Sequence, residues 1–107
     1  MEIKQYQIIL VNLEPAVGSE IKKTRPCVVI SPDEMNHHLR TVVIAPMTTS
    51  SRNYPTRIEI RHENKAGWII LDQISTIDKH RIIKDLGKLS RAEIRELKAV
   101  LKETYID

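Results

Sequence analysis

The chain has 107 residues, of which 41% are hydrophobic and 29% are charged, and its formal net charge at pH 7 is +3. This length and composition exclude an intrinsically disordered chain and predict one domain, spanning residues 1–107, around one hydrophobic core. The mild positive charge permits an anionic partner without requiring one. The single cysteine, Cys27, excludes an internal disulfide framework, and its apolar surroundings in the sequence predict a core residue.

No segment has the pattern of a secretory signal or of a membrane span. The amino-terminal residues 1–10 contain an early acidic residue, Glu2, and no cleavage site of small residues follows them. No run approaches the ~20 apolar residues that a spanning helix requires. We therefore expect the protein to stay in the cytoplasm, where a lone reduced cysteine is usual.

Short runs of apolar and β-branched residues, separated by turn residues, predict a mainly β protein. The predicted strands, in chain order, are 7–11, 26–31, 41–46, 56–61, 67–74 and 81–89. Residues 56–61 alternate in character, so Ile58 and Ile60 should be buried while the charged residues between them face solvent. Several short strands of this kind favour a small barrel or sandwich.

The end of the chain changes to a helical period. Residues 90–105 place four side chains on one face, those of Ile94, Leu97, Leu101 and Tyr105. Ser90 followed by Glu93 is a capping box, which marks the helix start, so we expect an amphipathic helix that packs on the sheet. A shorter helical turn is predicted over 32–39, with Pro32 at its first position.

Two polar clusters lie where a loop meets a predicted strand. The first, residues 18–25 (GSEIKKTR), leads into Pro26, and the second, residues 47–52 (MTTSSR), follows another strand. Pro26 restricts Arg25 to extended conformations, and a guanidinium held in this way can bind phosphate through paired hydrogen bonds. From the pattern alone, a surface charge at a strand end and an ordinary turn are the simpler interpretation.

The histidines do not form a metal-binding pattern. His37 and His38 are adjacent, so their side chains diverge, and His62 and His80 are isolated from other ligands. The sequence also lacks a glycine-rich phosphate loop and a nucleophile elbow. We therefore predict no metal and no other cofactor.

Three segments follow one another in a characteristic order: VNLEPAVGSEIKKTRPCVVIS (11–31), VVIAPMTTS (42–50) and LDQISTIDKHRI (71–82). Together they resemble the MazF/PemK (Kid) family of toxin endoribonucleases. The resemblance extends from Gln5 to about Leu101. The order and spacing of the motifs carry it, because no single motif is specific.

The resemblance implies a bacterial type II toxin with a small CcdB/MazF-like, SH3-like β-barrel and a C-terminal helix. It implies metal-independent, sequence-specific cleavage of single-stranded RNA, such as mRNA, leaving a 2′,3′-cyclic phosphate and a 5′-hydroxyl. It also implies a homodimer and a cognate MazE/PemI-like antitoxin whose carboxy-terminal segment covers the RNA site.

The resemblance further implies the site residues. Arg25 before proline and Thr48 of the Pro-x-Thr segment match the catalytic pair, and Glu20 matches the glutamate of the first substrate loop. Glu20 is also the best carboxylate candidate for a general base, with His80 as an alternative. RNA contacts are expected from the loop residues Gly18, Ser19, Lys22, Lys23, Thr49, Ser50 and Arg52.

The chain departs from the Kid-like branch at two positions. Ser19 stands where Kid-like members have a histidine, and Ile70-Leu71-Asp72 lacks the arginine of their Arg-x-Asp pair. The MazF-like branch therefore fits better. The missing arginine leaves open whether Asp72 takes part in catalysis or supports a turn through hydrogen bonds.

Two other functions are compatible with the same fold. A CcdB-like toxin inhibits DNA gyrase by binding, through a C-terminal helix that ends in Trp-Gly-Ile, whereas this chain ends in KETYID. A catalytically inactive adaptor would bind only RNA or an antitoxin. An RNA cleavage assay discriminates between these and a nuclease.

Overall fold

The structure, a computed structural model, describes residues 1–13, 24–51, 53–62 and 65–106. Within these ranges the chain forms the strands β1 (Gln7–Asn12), β2 (Thr24–Val29), β3 (Thr41–Thr48), β4 (Arg57–His62), β5 (Lys65–Ile70), β6 (Ser75–Asp78) and β7 (Ile82–Lys88). The helices are α1 (Asp33–His38) and α2 (Arg91–Leu101). Short 3-10 turns occupy Leu71–Gln73 and Lys79–Arg81, and a π-helical turn, Lys102–Ile106, follows α2.

Strand β3 is the centre of an antiparallel sheet whose strand order is β4-β5-β3-β2-β1-β7. Along one side β3 pairs with β2, and along the other it pairs first with β6 and then, at Met47 and Thr48, with β5. The outer strands β4 and β7 do not pair within the described residues, so the sheet is not closed. The predicted mainly β fold with a C-terminal helix is confirmed.

The six predicted strands correspond to β1 to β5 and β7, with shifted ends. β5 begins at Lys65, before the glycine predicted to open it, because Lys65 pairs with His62 in the β4–β5 hairpin. It ends at Ile70, where the chain enters a 3-10 turn. β6 escaped prediction because its four residues contain one buried side chain, Ile77, which is too short a pattern for a strand period.

Two apolar clusters lie on opposite faces of β1, β2 and β3. One cluster contains Ile8, Val28, Ala45, Met47, Ile58, Ile60, Ile69, Leu71, Leu89 and Leu97. The other contains Ile3, Ile9, Val11, Cys27, Val29, Val42, Ile44 and Ile77. Neighbouring residues of each strand belong to different clusters, as the two-residue period requires. These three strands therefore have buried side chains on both faces and form the rigid part of the fold.

Cys27 is a core residue, as predicted. Its side chain is fully buried in the second cluster. Burial raises the pKa of the Cys27 thiol to about 12, although the nearby charge of Arg25 acts in the opposite direction. The thiol is therefore protonated at neutral pH, which removes it as a nucleophile.

Helix α2 packs against the first cluster through Leu97, which is fully buried, with Ile94 and Leu101 beside it. The predicted capping box is present: Ser90 Oγ accepts from the Glu93 N–H at 3.1 Å, and Glu93 Oε1 accepts from the Ser90 N–H at 2.8 Å. No helix in the described part of the chain is long and apolar enough to cross a membrane.

The two predicted helices differ in detail from those observed. The α-helix ends at Leu101 and not at 105, so Tyr105 leaves the packing face and its hydroxyl donates to the Leu71 carbonyl at 2.5 Å. Pro32 is the N-cap of α1 and precedes the first helical residue by one position. Its extended backbone, with ψ of 158°, explains why the helix starts only after it.

We expect Ser90→Ala to lower the free energy of unfolding by about 1 kcal/mol, because the Glu93 amide loses its acceptor. Glu93→Ala should cost less, and the double variant should cost less than the sum, since the two hydrogen bonds depend on each other. Urea denaturation of the wild type, the two single variants and the double variant measures these free energies of unfolding. Fully additive losses would contradict a reciprocal cap.

Candidate active site

Strand β2 holds Arg25 at its exposed end. The strand begins earlier than predicted, because Thr24 and Arg25 continue the ladder with β1, opposite Asn12 and Val11. Arg25 is exposed, whereas Cys27, which points to the same face, is fully buried. The base of the Arg25 side chain is thus attached to rigid sheet while its guanidinium reaches solvent.

Thr48 is the last residue of β3 and lies opposite Trp68 of β5. Its hydroxyl accepts from the Ser50 N–H at 3.3 Å and donates to the Ser50 carbonyl at 3.2 Å. Thr49 and Ser50 are exposed and lie beyond the strand. Among the described hydroxyls of residues 48–51, that of Thr48 alone belongs to a strand.

The β2–β3 ladder brings Arg25 and Thr48 together. It pairs Cys27 with Pro46, and continuing this register by two residues places Arg25 across from Thr48. Both side chains line one cavity of about 270 Å³. The remaining described lining residues are Leu13, Pro46, Met47, Arg57, Ile70 and Gln73.

A second arginine, Arg57 of β4, reaches the same cavity and is bound by Asp72. Arg57 Nε donates to Asp72 Oδ1 at 3.2 Å, and Nη2 donates to Oδ2 at 3.3 Å. The Thr56 hydroxyl also donates to Asp72 Oδ1, at 2.9 Å. The hydrogen bond from Arg57 is the main cause that lowers the pKa of the Asp72 carboxyl below its usual value. Asp72 is therefore ionised at neutral pH and compensates the charge of Arg57.

This contact bears on the question that the sequence left open for Asp72. Its carboxylate supports the turn before β4 through Thr56 and also orients an arginine. In the Kid-like Arg-x-Asp pair the arginine would stand at position 70, where this chain has Ile70. Arg57 lies directly opposite Ile70 in the β4–β5 ladder, so an arginine is present on the neighbouring strand. Arg57 and Asp72 are 15 positions apart in the sequence, which hid this pair from sequence reasoning.

The charge of Arg25, in contrast, is not compensated within the described residues. None of the ion pairs found there involves Arg25. Among the described residues, the cavity therefore combines an arginine neutralised by Asp72, an arginine without an ion-pair partner and a hydroxyl. This set of groups suits an anion with several oxygen acceptors, such as a phosphodiester.

His80, the alternative general base, is not brought to this cavity. His80 lies at the opposite end of β3, since its ion-pair partner Asp78 is opposite Thr41. Thr41 and Thr48 are separated along the strand by about 23 Å. The residues Gly18, Ser19, Glu20, Lys22, Lys23 and Arg52 lie outside the described residues. Within the described part of the chain, no group of three His, Cys, Asp or Glu side chains is arranged to hold a metal ion.

Two lining residues, Arg57 and Gln73, were missed as site residues by the sequence analysis. Gln73 belongs to the Asp-Gln pair of the third segment quoted there. It lies in the 3-10 turn between β5 and β6 and lines the cavity. That motif was the available signal. For Arg57 the sequence showed only that it lies on the exposed face of its strand.

Solved structures share this fold along almost the whole chain. A mycobacterial endoribonuclease in complex with its cognate antitoxin is 22% identical, covers 94% of this chain and 92% of its own, and has a TM-score of 0.81. A MazE-MazF structure from Deinococcus radiodurans is 21% identical, covers 96% of this chain and 95% of its own, and has a TM-score of 0.83. At this identity the similarity establishes the fold.

The family assignment rests on the sequence. Residues 4–105 match the family described as PemK-like, MazF-like toxin of type II toxin-antitoxin system. The match covers nearly the whole chain, so the protein belongs to this family of toxins. The resemblance inferred from the motifs is confirmed.

The Asp72–Arg57 contact predicts a pH dependence of stability. Because the folded-state pKa of Asp72 is lowered, its stabilising contribution is present above the unfolded pKa of about 3.9 and is lost as pH falls through the folded value. The difference in unfolding free energy between the wild type and Asp72→Asn should therefore shrink as the pH is lowered from 6 to about 3. Urea denaturation across this range measures it, with Glu34→Gln as an exposed control. A constant difference would contradict the linkage.

Proposed function

We propose that this toxin is an endoribonuclease that cuts single-stranded RNA in the bacterial cytoplasm by attack of the RNA's own 2′-hydroxyl. The observation that carries the proposal is that Arg25 and Thr48 line one cavity. The family match and the fold shared with a mycobacterial endoribonuclease support the same reaction. The site can perform it without an activated protein nucleophile, because the substrate supplies the attacking oxygen.

In the proposed reaction the 2′-oxygen gives its proton to a base and forms a bond to the adjacent phosphorus. The bond between phosphorus and the 5′-oxygen breaks, and that oxygen takes up a proton. The products are a 2′,3′-cyclic phosphate and a 5′-hydroxyl, and neither a metal nor water enters the balance. The protein must align the two oxygens and stabilise the negative charge that builds up on the phosphorane.

Arg25 is suited to the charge that develops in the transition state. Its guanidinium can donate two parallel hydrogen bonds to the non-bridging oxygens, and no carboxylate among the described residues competes for it. The Thr48 hydroxyl can turn its hydrogen from the Ser50 carbonyl to the phosphate. It still accepts from the Ser50 N–H, which holds the oxygen in position.

We assign the general base to Glu20, and RNA contacts to Gly18, Ser19, Lys22, Lys23, Thr49, Ser50 and Arg52. The chain on either side of Glu20 supports this assignment. Leu13 lines the cavity, and Thr24 pairs with Asn12 beside it. The described ends of the segment that contains Glu20 therefore lie at the site.

The proposal includes a homodimer that a cognate antitoxin inhibits. Structures of similar fold contain a mycobacterial endoribonuclease with its antitoxin and a MazE-MazF pair from Deinococcus radiodurans, which supports an antitoxin for this chain. A domain of this size buries little surface alone, which favours association. Light scattering at micromolar concentration tests the dimer, and a fully active monomer would contradict it.

The decisive experiment incubates the purified protein with a long single-stranded RNA in EDTA and maps the new ends. Cuts at recurring short sequences, with 5′-hydroxyl and cyclic phosphate ends, would support the proposal. Intact RNA together with inhibition of DNA gyrase would instead indicate a CcdB-like toxin. Cleavage that needs a restored divalent ion would contradict the metal-independent mechanism.

Arg25→Ala should reduce RNA cleavage by about 10²–10³-fold or more, because the transition state loses a preorganised charge. The fold should be unaffected, since the side chain is exposed. Single-turnover rates measure the loss, and Arg95→Ala on the exposed face of α2 controls for the removal of one positive charge. Near-normal cleavage by Arg25→Ala would refute the assignment.

Thr48→Ala should reduce cleavage at least tenfold, which corresponds to about 1.4 kcal/mol. Alanine at Thr49, Ser50 or Ser51 should cost less, because these residues follow the strand and are less well positioned. Thr48→Ser keeps the hydroxyl and should retain most activity. If Thr49→Ala or Ser50→Ala proved the most damaging variant on one short RNA, the pairing of Arg25 with Thr48 would be wrong.

A further inference from the structure

Arg57 occupies an unusual position for an ion-paired arginine. It comes from β4, the outer strand of the sheet, yet it lines the same cavity as Arg25 and Thr48. Its side chain is 20% exposed, compared with 36% for its partner Asp72. A partly exposed ion pair of this kind contributes little to stability, and the contacts that hold Arg57 leave it facing the cavity.

We propose that Arg57 is a second phosphate-binding residue of this cavity and that Asp72 positions it. The proposal rests on the proposed function, because its ligand is single-stranded RNA. Arg25 contacts the scissile phosphate, and Arg57 contacts the neighbouring phosphate of the same strand. The binding of RNA then depends on Arg57, whereas the chemical step depends on Arg25 and Thr48.

The hydrogen bonds of Arg57 leave donors for a ligand. A guanidinium has five N–H groups, and three of them donate within the described residues. Nε and Nη2 donate to Asp72, and Nη1 donates to Ser51 Oγ at 2.9 Å. One N–H on each terminal nitrogen has no partner among the described residues, which leaves two donors for phosphate oxygens.

Contacts on several sides hold the Arg57 guanidinium in place before RNA binds. Asp72 binds one edge, Ser51 binds Nη1, and the Tyr54 ring lies beneath Cζ at 4.7 Å from its centroid. An arginine fixed in this way loses little side-chain entropy when it binds an anion. Asp72 neutralises the local charge without occupying the remaining donors.

The sheet geometry fits two phosphates. Between Arg25 and Arg57 the strand order runs β2, β3, β5, β4, which is three inter-strand steps, or about 14 Å across the strands. Arg57 also lies two residues, about 7 Å, along β4 from the ladder position across from Arg25. Both side chains line one cavity from these separate positions, and consecutive phosphates of one RNA strand can supply a partner to each guanidinium.

The first test measures binding to a single-stranded RNA that carries 2′-O-methyl groups throughout and cannot be cut. Arg57→Ala should bind about tenfold more weakly than the wild type at low salt. The slope of log K against log salt should fall by about 0.7, the value for one lost phosphate contact. Arg61→Ala is the matched control, because it removes the same charge from the same face of β4, about 13 Å further along.

The second test separates binding from chemistry on a cleavable RNA. Arg57→Ala should raise KM about tenfold and change kcat little, whereas Arg25→Ala should lower kcat. Asp72→Asn should raise KM by a smaller factor, since Arg57 keeps its donors but loses its anchor. Arg57→Lys retains the charge without the paired donors and should recover part of the affinity.

The outcomes are distinguishable. If the wild type neither cuts nor binds RNA, the proposed function fails and this inference fails with it. If the wild type does both and Arg57→Ala matches Arg61→Ala in affinity and salt slope, the inference alone is overturned. Thermal unfolding of each variant is measured in parallel. If Arg57→Ala does not fold, Arg57→Lys and Asp72→Asn decide the question, and a wild-type KM in both would overturn the inference.

Discussion

The pairing of β3 with neighbours on both sides is the constraint on which the core and the candidate site both depend. Val42 and Ile44 point to one apolar cluster, and Ala45 and Met47 point to the other. The end of the same strand holds Thr48 between β2 and β5. A slip of one residue would move every side chain of β3 to the opposite face, so the register that buries the core also brings Thr48 to the side of Arg25.

The parts of the fold that were predicted from sequence are those with a local pattern. The alternation around Ile58 and Ile60 and the cap formed by Ser90 and Glu93 involve residues a few positions apart, and periodicity detects them. Arg25 and Thr48 were proposed as site residues because each lies in a motif, but their proximity depends on the β2–β3 register. Such a register is a tertiary property, which a single sequence shows only through resemblance to a known family.

What could not be predicted depends on contacts between distant segments. Arg57 reads as a surface charge on an alternating strand, and its link to Asp72 exists only because β4 and β5 form a hairpin that ends beside the 3-10 turn. The sequence analysis did not predict β6, because its four residues form too short a pattern to indicate a strand. This strand gains its stability from pairing with β3.

The chemical character of the cavity narrows the reactions that it can support. Its described lining contains guanidinium, hydroxyl, amide and apolar groups, and it contains no carboxylate, imidazole or thiol. Cys27, which points to the same face as Arg25, has a pKa raised by burial and stays protonated. Groups of this kind stabilise negative charge, and the described lining contains no base that could activate the Thr48 hydroxyl as a nucleophile. Such a cavity is suited to a reaction in which the substrate carries its own nucleophile, and an RNA strand, with a hydroxyl next to every internal phosphodiester, meets that requirement.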